Sequence, residues 1–285
     1  MQPKNSLFDT HCHIHSVDYA LPITEVDAHN VEAGVDYLVC VGCDAADSQR
    51  AVDFVADRPN NWASVGQHPH EAKFGMEPLE KLRALVEADQ LGRRRSAPSS
   101  TSTVLGEAEN GGEKASGRKI IAIGECGLDY FYGHSSKEEQ ETALRYQIEL
   151  ALEYDLPLIF HVREAFDDFW PIFDSYQGIR GVLHSFTDSS TNLSKAIARG
   201  LYIGVNGIMT FTKIPEQLEV AKQIPGDRLV LETDSPFLTP VPLRGKVNEP
   251  AHVLLVARFL SELRQISLQE VAQQTTTNAR QLFSL

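Results

Sequence analysis

Residues Ile120-Ile-Ala-Ile-Gly-Glu-Cys-Gly-Leu-Asp-Tyr130 read as a buried strand that ends at a carboxylate, Glu125. The run after Lys119 is apolar and rich in isoleucine, with no polar alternation, which suits a parallel strand covered on both faces. Gly124 and Gly127 let the backbone turn and leave room beside Glu125. A carboxylate at the mouth of an apolar strand is costly without a partner, and a metal cation is one such partner. This segment alone leaves open the alternative of a capping or ion-paired Glu in a turn.

The pattern of a short apolar strand ending in a polar residue recurs on both sides of this stretch. Upstream, Leu7-Phe-Asp-Thr-His-Cys-His13 is a strand running into His11 and His13. Alternate residues of an extended segment point the same way, so both imidazoles can face one point, with Asp9 and His15 alongside. Tyr37 to Gly42 is a second strand. Its C-x-x-C pair, Cys40 and Cys43, has no second pair to complete a zinc knuckle, and both read as core cysteines. Trp62 to Gly66 is a third strand and ends in Gln67-His-Pro-His70. Downstream, the strands are Leu156 to His161, Gly181 to His184, Leu201 to Val205 and Arg228 to Glu232, the last followed by Thr233-Asp234.

Helical periodicity fills the intervals. Pro78 to Leu91 carries Leu79, Leu82, Leu85 and Val86 on one stripe. Ser135-Ser-Lys-Glu138 reads as a capping box that starts a helix to Tyr154. Two helices, Pro250 to Leu263 and Ser267 to Phe283, close the chain. Between Gly92 and Arg118 the composition shifts to Ser, Gly, Arg, Ala and Glu, and this stretch (92–118) is expected to be a disordered surface insertion. Its Arg93-Arg-Arg95 is expected to be solvated.

Eight strands alternating with helices predict a parallel sheet, and eight in this length suit a closed (β/α)8 TIM barrel as one domain, residues 1–285. An open doubly wound sheet is the alternative. His11, His13, His68, Glu125, His161, His184 and Asp234 then all fall at C-terminal strand ends, which in a barrel converge on one face. Four histidines and two carboxylates exceed the ligand set of one catalytic zinc. One arrangement places His11, His13 and Asp234 on a first metal and His161 and His184 on a second, with Glu125 bridging. Such a pair can activate water and clamp both oxygens of an in-line displacement. The mixed nitrogen and oxygen donors suit zinc, manganese or iron, whereas magnesium prefers oxygen.

Composition narrows the classes. The 285 residues carry a formal net charge of −13, which disfavours a purely electrostatic grip on nucleic acid. The first residues hold no apolar signal-peptide core, and no apolar run is long enough to span a bilayer. Four cysteines do not form a secreted disulfide framework in a chain of this length. A cytoplasmic protein with reduced thiols is expected.

The chain resembles the TatD-type metal-dependent deoxyribonucleases, within the amidohydrolase-like barrels. The resemblance runs in order through Asp9-Thr-His-Cys-His13, Gly66-Gln-His-Pro-His70, Gly124-Glu-Cys-Gly-Leu-Asp-Tyr130, His161-Val-Arg163, His184-Ser-Phe186, Glu232-Thr-Asp-Ser-Pro-Phe-Leu238 and Arg244-Gly-Lys-Val-Asn-Glu-Pro250. The 92–118 insertion departs from it. The resemblance implies hydrolysis of DNA phosphodiesters, often from a 3′ end, with two divalent ions (magnesium, manganese or zinc). By position it assigns His11, His13, Glu125, His161, His184 and Asp234 as metal ligands, with Glu125 and Asp234 the catalytic carboxylates. Asp234 would also orient or deprotonate the attacking water. His68, Arg163, Arg244 and Lys246 would contact substrate phosphate, and Asn248 and Pro250 would shape the last loop. The expected partner is DNA, single-stranded or at 3′ ends, with no membrane, and the expected state is a monomer. A metal-dependent esterase or amidohydrolase, such as a deacylase of misacylated tRNA, is the second reading. A non-catalytic binding protein is the third, and the complete ligand set argues against it.

Overall fold

The computed structural model describes residues 6–96 and 117–285. Strands and helices alternate as β1 (Leu7–Cys12), α1 (Ile23–Ala33), β2 (Val35–Val41), α2 (Ala45–Val55), β3 (Asn61–Val65), α3 (Met76–Ser96), β4 (Ile120–Asp129), α4 (Lys137–Glu153), β5 (Leu158–Arg163) and α5 (Phe166–Asp174). They continue as β6 (Gly181–Leu183), α6 (Ser190–Ala198), β7 (Tyr202–Val205), α7 (Pro215–Gln223), β8 (Leu229–Leu231), α8 (Val253–Arg264) and α9 (Leu268–Phe283). The described strands form one sheet in sequence order, each parallel to the next. This is the (β/α)8 barrel, and the open doubly wound alternative falls away.

The barrel closes between β8 and β1 through a short seam. A bridge pairs Cys12 with Ser235, His13 N–H donates to the Ser235 carbonyl at 2.7 Å, and Asp234 N–H donates to the His11 carbonyl at 2.8 Å. The buried Asp9 carboxylate adds to the seam, accepting from Thr233 N–H at 2.8 Å and Thr233 Oγ1 at 2.6 Å. The seam thus holds the C-terminal ends of β1 and β8 against each other.

Strand alternation sorts the apolar side chains. Phe8, Val39, Val41, Ile121, Ile159, Val182 and Val230 form one buried cluster that α9 joins through Leu282 and Phe283. The Phe283 ring lies 6.0 Å from that of Phe8, so the last helix plugs the N-terminal end of the barrel. Leu7, Leu38, Cys40, Ile120, Leu158 and Phe160 belong to the larger cluster under the surrounding helices. Each such side chain contributes about 1.5–3 kcal/mol by leaving water.

Several boundaries differ from the sequence reading. β4 does not end at Glu125 but continues to Asp129. Pairing with β5 passes from Ile123 opposite Leu158 to Cys126 opposite Phe160, so three steps on β4 match two on β5. That is a bulge, and bulges re-aim side chains. Helix α3 runs through Gly92 to Ser96, because nothing after Leu91 breaks it before the composition turns Ser-rich, so the helix enters the expected insertion. Residues 97–116 of that insertion lie outside the described residues. The capping box uses Ser136 and Glu139, one position later than read, because Ser135 Oγ is engaged with the His70 carbonyl at 2.9 Å. Pro250–His252 forms a separate 3-10 turn before α8.

Gly127 fixes how closely β4 approaches β5. Its φ is +152°, and a Cβ there would collide with the His161 carbonyl oxygen. Gly127→Ala is therefore expected to cost about 3 kcal/mol or more through strain and collision, lowering the melting temperature by roughly 5–10 °C. An unchanged thermal midpoint by calorimetry would show that the strand junction tolerates a side chain.

Candidate metal centre

The seam delivers the first three ligand-type side chains. His11 Nε2 and His13 Nε2 face each other at 3.1 Å, and Asp234 Oδ1 lies 3.6 Å and 3.3 Å from them. His13 Nδ1 donates to the Val41 carbonyl at 2.7 Å, which leaves Nε2 with its lone pair toward His11 and Asp234. Asp234 adopts a left-handed backbone, φ 59°, a conformation that Asp tolerates better than most residues.

The bulge in β4 presents Glu125 to the same space. Only 4 % of this residue is exposed. Its Oε2 is 3.3 Å from His11 Nε2. Its Oε1 meets His161 Nδ1 at 2.7 Å, His184 Nε2 at 2.9 Å and His68 Nε2 at 3.4 Å. Burial alone would raise the Glu125 pKa. The charges of His184 and His68 and the bonds from His11 and His161 outweigh it and hold the carboxyl well below its usual range. Burial works the other way on His68, which is pushed down to about 4, and it also lowers His11. Both imidazoles are therefore neutral near pH 7, the form that can bind a cation.

Carboxylates stand behind two of the histidines. Asp129 Oδ2 accepts from His161 Nε2 at 2.9 Å, which turns Nδ1 toward Glu125. Glu232 Oε1 lies 3.5 Å from His184 Nδ1 and accepts from Ser185 N–H at 2.6 Å. Neither residue was singled out from sequence. The signal was period two: Asp129 lies four residues past Glu125 on one strand, and Glu232 lies two residues before Asp234. Ending β4 at Glu125 hid the first.

The donor chemistry fits a cation. Two imidazole nitrogens facing each other at 3.1 Å share at most one proton, so a neutral pair leaves one lone pair aimed at the other. Among the described residues four donor sets each gather within a few ångströms: His11, His13 and Asp234; His11, Glu125 and His184; His13, Cys43 and Glu125; His68, Glu125 and His161. Nitrogen and carboxylate donors in such sets suit zinc, manganese or iron.

The six residues read as ligands from sequence thus come together around Glu125. His68, read as a phosphate contact, sits within the same cluster. Arg163, Arg244 and Lys246 are exposed and stand outside it. The Arg163 guanidinium lies 3.9 Å over the Phe131 ring, and Arg163 and His184 line one small cleft of about 200 Å³. Arg244 lies 3.7 Å over Phe211 and donates to the Thr239 carbonyl at 2.7 Å. Lys246 follows on the same loop. Asn248 is buried and ties that loop to the Thr233 and Phe237 carbonyls. One cysteine departs from the sequence reading. Cys40 is core, but Cys43 lies beyond the end of β2, where strand alternation no longer orients it. Its Sγ is 3.8 Å from His13 Nδ1 and 4.0 Å from Glu125 Oε2, at the wall of the site.

Comparison with known proteins gives a consistent result. The family model for TatD related DNase matches residues 8–284. The uncharacterized metal-dependent hydrolase YabD of Bacillus subtilis (strain 168) is 34 % identical over 281 residues, covering 98 % of this chain and 99 % of that one. The 3′-5′ ssDNA/RNA exonuclease TatD of Erwinia tasmaniensis is 32 % identical over 288 residues, covering 98 % and 100 %. Among solved structures, the TatD homologue YJJV of Escherichia coli K12 superposes with a TM-score of 0.82 at 26 % identity, covering 98 % of each chain.

Asp129→Ala is expected to weaken divalent-cation binding about 10- to 100-fold, because His161 loses the group that turns it. The Asp129 carboxyl is held well below its usual range: burial opposes this, but the bond from His161 prevails. It is charged throughout pH 5–8 and, against burial, its bond also raises the His161 pKa, so removing it eases proton competition at His161 and the loss should be smaller at pH 5 than at pH 8. Titration calorimetry on stripped protein measures it, and an unchanged affinity would mean that His161 needs no such support.

Proposed function

The chain belongs to the family of TatD-related DNases, and on that premise we propose that this metal-dependent hydrolase cleaves the phosphodiester bonds of DNA, stepwise from a 3′ end, using two divalent ions. The observation that carries the reading is the position of Glu125. One of its oxygens faces His11 of the seam group, and the other faces His161, His184 and His68. A carboxylate disposed in this way is suited to bridging two cations. Bound there, the ions would supply Lewis acidity to the phosphoryl oxygens and activate a water.

The protein's own side chains have definite tasks in this scheme. His11, His13 and Asp234 would hold one ion, and His161 and His184 the other. Burial tends to raise the Asp234 pKa. The bond to His13 and the charges of His11, His13 and His184 prevail, so its carboxyl lies below the usual range. Asp234 is then a carboxylate at neutral pH, fit to orient the attacking water and accept its proton. Arg163, beside His184 in one cleft, supplies a positive charge for the substrate phosphate. Arg244 and Lys246 extend that charge around the β8 side. Two relatives, of Erwinia tasmaniensis and Erwinia amylovora, bear the name of a 3′-5′ ssDNA/RNA exonuclease, which favours a nucleic-acid substrate over a small ester.

The second reading, a metal-dependent esterase or deacylase of misacylated tRNA, would use the same centre on a carbonyl carbon. The exposed arginines at the rim favour phosphate.

The test uses a 5′-labelled single-stranded oligonucleotide, metal-stripped protein, and magnesium, manganese or zinc added back singly. Stepwise shortening from the 3′ end is expected only with metal. Glu125→Gln and Asp234→Asn are each expected to lose about 10²–10³-fold or more in turnover, the scale of one preorganised electrostatic group. Full activity in both variants would refute the mechanism, and rapid acyl-ester hydrolysis with intact DNA would favour the deacylase.

A further inference from the structure

Two sets of exposed aromatic rings flank the metal centre. Phe237 is 60 % exposed, Phe131 50 % and Tyr132 43 %. Rings this large are seldom left in water without a use when they cluster at a site. Phe237 follows Asp234 by three residues, and its N–H donates to the Asp234 carbonyl at 2.8 Å. Its ring centre lies 6.4 Å from that of His13. Phe131 and Tyr132 follow β4, and both of their amide N–H groups donate to Asp129 Oδ1 at 3.0 Å. The other oxygen of the same carboxylate holds His161. One aromatic turn is therefore fastened to Asp234 and the other to the carboxylate that holds His161.

Barrel order fixes the relation between the two sets. In an eight-stranded barrel wound in sequence order, β4 and β8 lie across the mouth from each other. The rings that follow these strands therefore stand on opposite sides of the Glu125 cluster. The Arg163 guanidinium covers one face of Phe131 at 3.9 Å, giving a cation beside an open ring. A net charge of −13 disfavours an affinity built on counterion release alone. Stacking on aromatic rings supplies affinity with little dependence on net charge.

We propose that Phe237 on one side and Phe131 with Arg163 on the other stack the two unpaired nucleobases that flank the scissile phosphodiester. This rests on the nuclease reading above. A base held flat on a ring must have left its partner strand, so these platforms select unpaired 3′ ends over blunt duplex ends. Selection then comes from the bases as flat rings rather than from their hydrogen-bonding edges, and the four bases are accepted with only modest preference.

The test compares two oligonucleotides, one with an ordinary 3′-terminal nucleotide and one whose terminal residue is an abasic tetrahydrofuran. Wild-type protein, loaded with the metal that supports turnover, is expected to remove the base-bearing residue about 10-fold faster or more. Phe237→Ala and Phe131→Ala are each expected to lower kcat/KM on the base-bearing end roughly 5- to 100-fold, mainly through KM. Discrimination against the abasic end should shrink in at least one of them. Phe237→Trp should retain it, and metal content of all variants is measured alongside to confirm intact centres. Turnover with undiminished discrimination in both alanine variants would overturn the stacking proposal alone. No turnover of any oligonucleotide by metal-loaded wild type would overturn the nuclease reading and this proposal with it.

Discussion

The carboxylate of Glu125 is the constraint to which the rest of the structure answers. It lies almost fully out of water and stays charged because four imidazoles converge on it. Without them, burial would impose a penalty of several kcal/mol on the ion or force it to take up a proton. The bulge in β4, the glycine at Gly127 and the close approach of β5 all follow from bringing that group to the barrel mouth. His161 is oriented from behind by Asp129 and the neighbouring His13 by the Val41 carbonyl, while Glu232 stands 3.5 Å behind His184. The site is thus a buried anion, a ring of imidazoles around it, and an outer layer of acceptors.

The barrel seam solves a second problem at the same place. β8 and β1 share little ladder, and the join is completed by Asp9 with Thr233 and by backbone bonds that involve His11, His13, Asp234 and Ser235. Closing the barrel and aligning three ligand-type side chains are therefore the same event. Damage to the seam would be felt first in the metal centre. Burial pushes the Asp9 carboxyl well up, and the two bonds from Thr233 offset part of that.

The eight strands were legible in the sequence because each is short and apolar, and six of them run into a histidine or carboxylate at the same relative place. The ligand-type residues were legible for a related reason: His11, His13, Glu125, His161, His184 and Asp234 all lie toward the C-terminal ends of strands or just past them. What lay beyond the strand ends was harder to read. Asp129 was missed because a strand that bulges past a Gly-Glu pair looks finished at the glycine. Cys43 was read as core because free cysteines are commonly buried and no second pair completes a zinc knuckle, and local sequence does not show that it lies past the end of β2. That the His68 ring also meets Glu125 was not readable, because nothing in Gln67-His-Pro-His70 tells which neighbour the ring faces. Arg163 and Arg244 were recognisable as cations, but their placement over Phe131 and Phe211 depends on loops that local sequence does not determine. Among the described residues, no helix is long and apolar enough to cross a membrane.

The claim on which the functional account turns is that Glu125 is shared between two cations. Electron paramagnetic resonance of the manganese-loaded protein tests it most directly, because two ions bridged by one carboxylate at about 3.5–4 Å couple their spins. The account requires two manganese ions per chain with an exchange-coupled spectrum that reverts to isolated ions in Glu125→Gln. A single uncoupled ion per chain, unchanged by that substitution, would contradict it.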